Sequence, residues 1–130
     1  LGQCFQLYPK ALSGGMQRRA ALARTFLPQP QLVLMDEPFI SLDLPSAERL
    51  RKEFLNMWQE SNAAVLYVTH DLAEAISIAD RLVFLSSSPS KVILDVAISD
   101  KRPGSLSCDS VQNFQRDLLS QYPTLLNGRC

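Results

Sequence analysis

Gln31-Leu32-Val33-Leu34-Met35-Asp36 is a continuous apolar run that ends in an acid, and Ala63-Ala64-Val65-Leu66-Tyr67-Val68 is a second such run downstream. Both are short and rich in branched aliphatic residues, which is how parallel strands buried on both faces read. Between them, residues 44–60 place Ala47, Leu50, Phe54 and Met57 at helical spacing, with Pro45 near the start where its missing N–H is harmless.

The same pattern extends outward in both directions. Residues 13–27 read as a helix whose face carries Met16, Ala20, Ala23 and Leu27, and Pro28 and Pro30 stop it. After the second strand, Asp71 is placed to cap a helix in a capping-box arrangement with Glu74, and Leu72, Ala75, Ile76 and Ala79 form its apolar face. Residues 82–85 and 91–96 read as two more strands joined by Ser86-Ser87-Ser88-Pro89-Ser90, close enough to make an antiparallel hairpin at a sheet edge. A polar linker at 101–109 precedes a last amphipathic helix with Val111, Phe114, Leu118 and Leu119 inward. Alternating strands and helices of these lengths imply an α/β protein with a mostly parallel sheet and an edge hairpin.

Composition narrows the function classes. The chain has 130 residues, enough for one compact domain with a real core, and 46% of them are hydrophobic. Thirteen Lys and Arg balance thirteen Asp and Glu, so no basic field argues for nucleic acid or an anionic membrane. Cys4, Cys108 and Cys130 make an odd number without C-x-x-C spacing, which suits reduced thiols better than a disulfide framework or a zinc site. No apolar run reaches the roughly 20 residues of a membrane span. The chain opens at Leu1 rather than Met, and its first ten residues carry no clear period, as in a chain cut into.

In α/β sheets the chemistry sits beyond the carboxyl ends of the strands, which directs attention to Asp36, Glu37, Thr69 and His70. Asp36-Glu37 places two carboxylates at a strand end, where one can hold Mg²⁺ through water and the other can orient or deprotonate an attacking water. An ordinary solvated acidic turn would look the same. His70, the one histidine, can donate to a phosphate oxygen, or it can be a structural histidine bonded to backbone. Ser13-Gly14-Gly15 opens a helix, where free N–H groups and the helix dipole attract anions and glycine lets a phosphate approach. Taken alone, the stretch favours the plainer reading, a serine cap with a flexible entry. Ser41-Leu42-Asp43 precedes the next helix and alone reads as a cap.

Taken together and in this order, these elements resemble the nucleotide-binding subunit of ABC transporters. Leu12-Ser13-Gly14-Gly15-Met16-Gln17 is similar to the family's signature motif, Leu32–Asp36 to its Walker B strand with Glu37 at the catalytic glutamate, Ser41-Leu42-Asp43 to the D-loop, and His70 to the switch histidine. Arg18 stands where the family more often has Gln. The resemblance implies the C-terminal part of a RecA-like P-loop NTPase domain. It assigns residues 1–27 to the end of a helical subdomain, 28–100 to part of the RecA-like core and 101–130 to a C-terminal linker and helix. It also implies ATP and Mg²⁺ as cofactors and a second ABC subunit paired head to tail. Ser13, Gly14, Gly15 and Gln17 would then serve the ATP of the opposite subunit, and Asp36 (Mg²⁺ through water), Glu37 and His70 that of their own. Asp43 would lie at the dimer contact.

Transmembrane permease subunits, and indirectly a periplasmic solute-binding protein, complete the implied assembly at the cytoplasmic face of the inner membrane. Tyr8-Pro9, the Met after the glycines and Asp36-Glu37-Pro38-Phe39 are similar to the importer ATPases for nitrate, taurine and aliphatic sulfonates. The family's phosphate loop, G-x-x-x-x-G-K-[ST], does not occur in these 130 residues. Two expectations follow: no measurable ATP hydrolysis by the isolated chain, and an exposed edge and uncovered apolar surface on strands 31–36 and 63–68. Two other readings remain open, a non-catalytic module that offers its signature motif to an intact subunit, and an ABC-type ATPase of DNA repair. Neutral charge argues against the latter.

Overall fold

The computed structural model describes residues 8–98, 108–123 and 125. After a short 3-10 turn at Pro9–Ala11, the elements are α1 (Gly14–Phe26), β1 (Leu32–Asp36), α2 (Leu44–Gln59), β2 (Ala64–Val68), α3 (Leu72–Ile78), β3 (Arg81–Leu85), β4 (Val92–Ala97) and α4 (Cys108–Gln121). The chain divides into two compact units, Leu1–Val68 and Thr69–Cys130.

In the first unit β1 and β2 pair in parallel, from Leu32 opposite Ala64 to Asp36 opposite Val68. The core is aromatic. Phe54 of α2 is 1% exposed, and its ring lies 6.1 Å from Phe26, 6.4 Å from Phe39 and 6.1 Å from Tyr67. Tilted and edge-on rings at these distances add to the gain from burial alone. Ala47, Leu50 and Phe54 are buried along α2, as their spacing requires, and Leu55 joins them.

Three expectations are corrected here. The packed face of α1 is not Met16, Ala20, Ala23 and Leu27. Leu22 is its buried residue, while Ala23 is exposed and Leu27 is 82% exposed. The physical reason is the face that α1 turns to α2: Phe26 meets Phe54, Arg19 pairs with Glu53 at 3.2 Å, and Leu22 stands at helical spacing between them, whereas Leu27 lies past the last helical residue. The second correction concerns burial of the strands, which is confined to one face. Val33 and Met35 are buried, whereas Leu32, Leu34, Leu66 and Val68 are exposed. Side chains alternate along a strand, and only one face of this pair meets a helix layer among the described residues. The uncovered apolar surface expected on these two strands is therefore present.

The third correction concerns the sheet. Among the described residues the parallel pairing is limited to β1 and β2, and β3 and β4 form a separate two-stranded antiparallel sheet. The hairpin itself is as expected. Its turn is closed by Ser86, whose N–H donates to the Lys91 carbonyl at 2.8 Å while its hydroxyl accepts the Lys91 N–H at 3.0 Å. Among the described residues it stands as its own two-stranded sheet, so these residues form a mixed α/β architecture with small sheets.

The second unit gathers Leu72 and Ile76 of α3, Leu82 of β3, and Val111 and Leu118 of α4 into one core with Leu125. Phe114 and Leu119 pack against it, so the inward face expected for α4 is the observed one. Ile78, also buried, lies outside the face read from the sequence. Most of the expected 101–109 linker falls outside the described residues, and its last two positions already belong to α4. No described helix is long and apolar enough to cross a membrane.

Candidate functional site

Ser13 caps α1 from an extended backbone (φ −62°, ψ 157°), its hydroxyl accepting the Met16 N–H at 3.3 Å. The Gln17 side chain folds back and donates to the Leu12 carbonyl at 3.1 Å, bracing the turn from the other side. A Cβ added at Gly14 or Gly15 would meet nothing within 4 Å. Among the described residues no neighbour requires glycine at either position, and none of them fills the space beside the turn.

At the end of β1, Asp36 is exposed and Glu37 is half-buried. Glu37 adopts a left-handed backbone, φ 45°, and its N–H donates to the Val68 carbonyl of β2 at 2.9 Å. A non-glycine residue there carries local strain, which the bond to β2 and the packing beyond hold in place. That packing is Phe39, 5% exposed, set between Phe54 and Tyr67 with the Arg51 guanidinium 6.0 Å above its ring. Ser41 is left-handed as well, at φ 64°. The turn from Glu37 to Ser41 is thus anchored at its centre by a buried ring.

Asp43 follows and caps α2, its carboxylate accepting the Ser46 N–H at 3.1 Å. Hydrogen bonds from Ser46 hold the Asp43 carboxyl below its ordinary pKa, with Arg49 adding a smaller electrostatic pull. In the second unit, Thr69 Oγ1 accepts the Asp71 N–H at 3.1 Å and Asp71 Oδ1 accepts the Glu74 N–H at 3.0 Å, so Asp71 caps α3 as its sequence position implied. His70 is exposed between these two residues.

The beginnings of α1 and α2 open into one pocket of about 260 Å³, lined by Ser13, Gly15, Arg19, Leu42, Ser46 and Arg49 among others. The signature-like turn and the residues around Asp43 are therefore neighbours. Asp36 and Glu37 do not line this pocket. Arg19, Ser46 and Arg49 were not singled out from the sequence. Their signal was weak, two arginines and a serine on helices, with nothing in spacing to show that two helix starts converge.

Among the described residues no group of three or more His, Cys, Asp or Glu side chains could hold a metal ion. The exposed Asp36 at a strand end suits Mg²⁺, which is commonly carried by one or two carboxylates, water and substrate phosphates rather than by a protein cage.

Two carboxylates give this fold an acid-sensitive component. Asp95 of β4 takes a bidentate pair from Arg81 of β3, at 2.8 Å through Nε, and this bond holds the Asp95 carboxyl low. For Asp43 and Asp95 the folded pKa lies below the unfolded 3.8. Their contribution to stability is therefore complete above the unfolded value and is lost as pH falls through the folded values. Denaturation midpoints measured from pH 7 down to acid should fall less steeply in an Asp43→Asn, Asp95→Asn double variant than in the parent. Parallel acid limbs would contradict this.

Comparison with known proteins agrees with the motifs. The ABC transporter family matches residues 3–40. The aliphatic sulfonates import ATP-binding protein SsuB of Bacillus cereus is 36% identical over 115 residues, 88% of this chain and 46% of the relative. An ABC transporter ATP-binding protein of Methanocaldococcus jannaschii, described as uncharacterized, is 39% identical over 113 residues, 87% of this chain and 42% of its own. The nitrate import ATP-binding protein NrtD of Synechococcus elongatus is 43% identical over 88 residues, 68% of this chain and 32% of the relative. The chain spans less than half the length of these relatives. Sulfonate and nitrate importers are among the groups its sequence resembles. Residues 3–40 match the ABC transporter family, and most of the chain is similar to importer ATP-binding proteins of that family.

Proposed function

We infer that this chain supplies part of the ATP-binding subunit of an ABC-type importer, which couples ATP hydrolysis to uptake of a small solute such as an aliphatic sulfonate, nitrate or taurine. The observation that carries the reading is the 36% identity to an importer ATP-binding protein over 88% of the chain, with the open Ser13-Gly14-Gly15 turn, Asp36-Glu37, Asp43 and His70 in one order.

In this reading Ser13, Gly14, Gly15 and Gln17 form the wall that meets the γ-phosphate of ATP held by a second, head-to-tail subunit. Free N–H groups at a helix start and a cap hydroxyl suit an anion there. Asp36 would hold Mg²⁺ through water, Glu37 would orient and deprotonate the attacking water, and His70 would donate to the γ-phosphate. Asp43, at the start of α2 beside the same pocket as Ser13, would transmit contact between subunits. Residues 1–27 would be the end of the helical subdomain that meets the permease, 28–100 part of the RecA-like core, and 101–130 a linker and helix. The assembly would sit at the cytoplasmic face of the inner membrane, fed by a periplasmic binding protein.

These 130 residues hold no G-x-x-x-x-G-K-[ST] loop, so most phosphate ligands of such an enzyme must come from elsewhere. The purified chain is expected to bind Mg-ATP very weakly and to hydrolyse none measurably. Equilibrium dialysis with labelled ATP and a phosphate-release assay check both, and a normal ATPase rate from the chain alone would overturn the reading. The open glycine turn also supports a second reading, a non-catalytic module that lends its turn to an intact subunit. A Ser13→Arg variant that still stimulated such a subunit would remove that alternative.

A further inference from the structure

A groove of about 610 Å³ opens where α1 and α2 end. Ala23, Phe26 and Leu27 line it from the end of α1, and Met57, Glu60 and Ser61 from the end of α2. None of these residues has a part in the nucleotide chemistry proposed above. Two features set the groove apart from the bare face of the β1–β2 pair. First, it is electrostatically one-sided. Among the described residues Glu60 is its only charged lining residue, the C-terminal ends of two helices, which carry partial negative charge, border it, and α2 has no basic residue in its last turn. Arg24, in the last turn of α1, is not among the lining residues. Second, Leu27 is 82% exposed, so an aliphatic side chain stands uncovered beside the acid.

We propose that this groove docks a polypeptide segment presenting a lysine or arginine beside aliphatic side chains. The cation satisfies Glu60 and the carbonyl ends of the helices, and its alkyl stem and neighbours cover Leu27, Phe26 and Met57. Long basic side chains suit the position because they carry carbon along an apolar wall and place charge at its end.

The test uses the full 130-residue chain, ¹⁵N-labelled, titrated with a blocked hexapeptide of alternating leucine and lysine. Amide shifts are expected to map to residues 23–31 and 57–62. The counterpart with glutamate in place of lysine should not bind, and Glu60→Lys should weaken the lysine peptide at least about tenfold. Leu27→Ser should weaken it as well, and both positions are exposed enough to leave the fold intact, which circular dichroism checks. Shifts confined to β1 and β2, equal binding of the two peptides, or an unchanged affinity in Glu60→Lys would each overturn the proposal.

Discussion

Phe54→Ala should destabilise the first unit by about 3–5 kcal/mol, the cost of removing a buried aromatic side chain and leaving a cavity. Phe54 is 1% exposed and its ring meets those of Phe26, Phe39 and Tyr67, which come from α1, the turn after β1, and β2. One truncation removes the contact shared by three segments. The only tryptophan, Trp58, lies one turn further along α2 and donates to the Ala63 carbonyl at 2.9 Å, so its fluorescence reports on this unit during denaturant unfolding. A loss below about 1 kcal/mol, the range of an ordinary surface-to-boundary change, would mean that the aromatic cluster is not what holds the unit. The same variant should loosen the turn from Glu37 to Ser41, because Phe39 would lose one of its two ring neighbours.

The second large effect is on chemistry. In any assembly that hydrolyses ATP through this chain's residues, Glu37→Gln should lower kcat by about 10²–10⁴-fold while Mg-ATP binding stays within about twofold. Removing the carboxylate keeps the side chain's size and its left-handed backbone but abolishes proton acceptance. A fall in kcat under about tenfold would place the general base elsewhere. A parallel loss of binding would point instead to a collapsed turn, and the Trp58 signal would show whether the fold had changed.

Much of the fold was legible from the sequence because its signals are local. Asp71 and Ser13 cap helices for reasons contained within four residues, and Val111, Phe114 and Leu118 show their face by spacing alone. What was misread depends on what lies across from each element. Leu32, Leu34, Leu66 and Val68 belong to runs that look doubly buried, yet whether the second face is covered depends on another layer. Leu27 matched a helical period, but the contacts of Phe26 and Arg19 with α2 set a different face, the one that carries Leu22. At the candidate site, the expectation for Asp36-Glu37 and Ser13-Gly14-Gly15 rests on residue types in order. The strain at Glu37 and the anchoring of its turn by Phe39 could not, because both arise from a hydrogen bond to Val68 and a ring cluster assembled over the whole first unit. The convergence of Ser13 and Ser46 on one pocket is likewise a tertiary fact.

The most direct test of the central claim, that these residues are the signature, Walker B and switch elements of an importer ATPase, is to read the coding DNA immediately upstream of Leu1. An in-frame G-x-x-x-x-G-K-[ST] is the predicted result, with Glu37 and His70 then completing a catalytic site. A stop codon or unrelated sequence there would contradict the catalytic assignment.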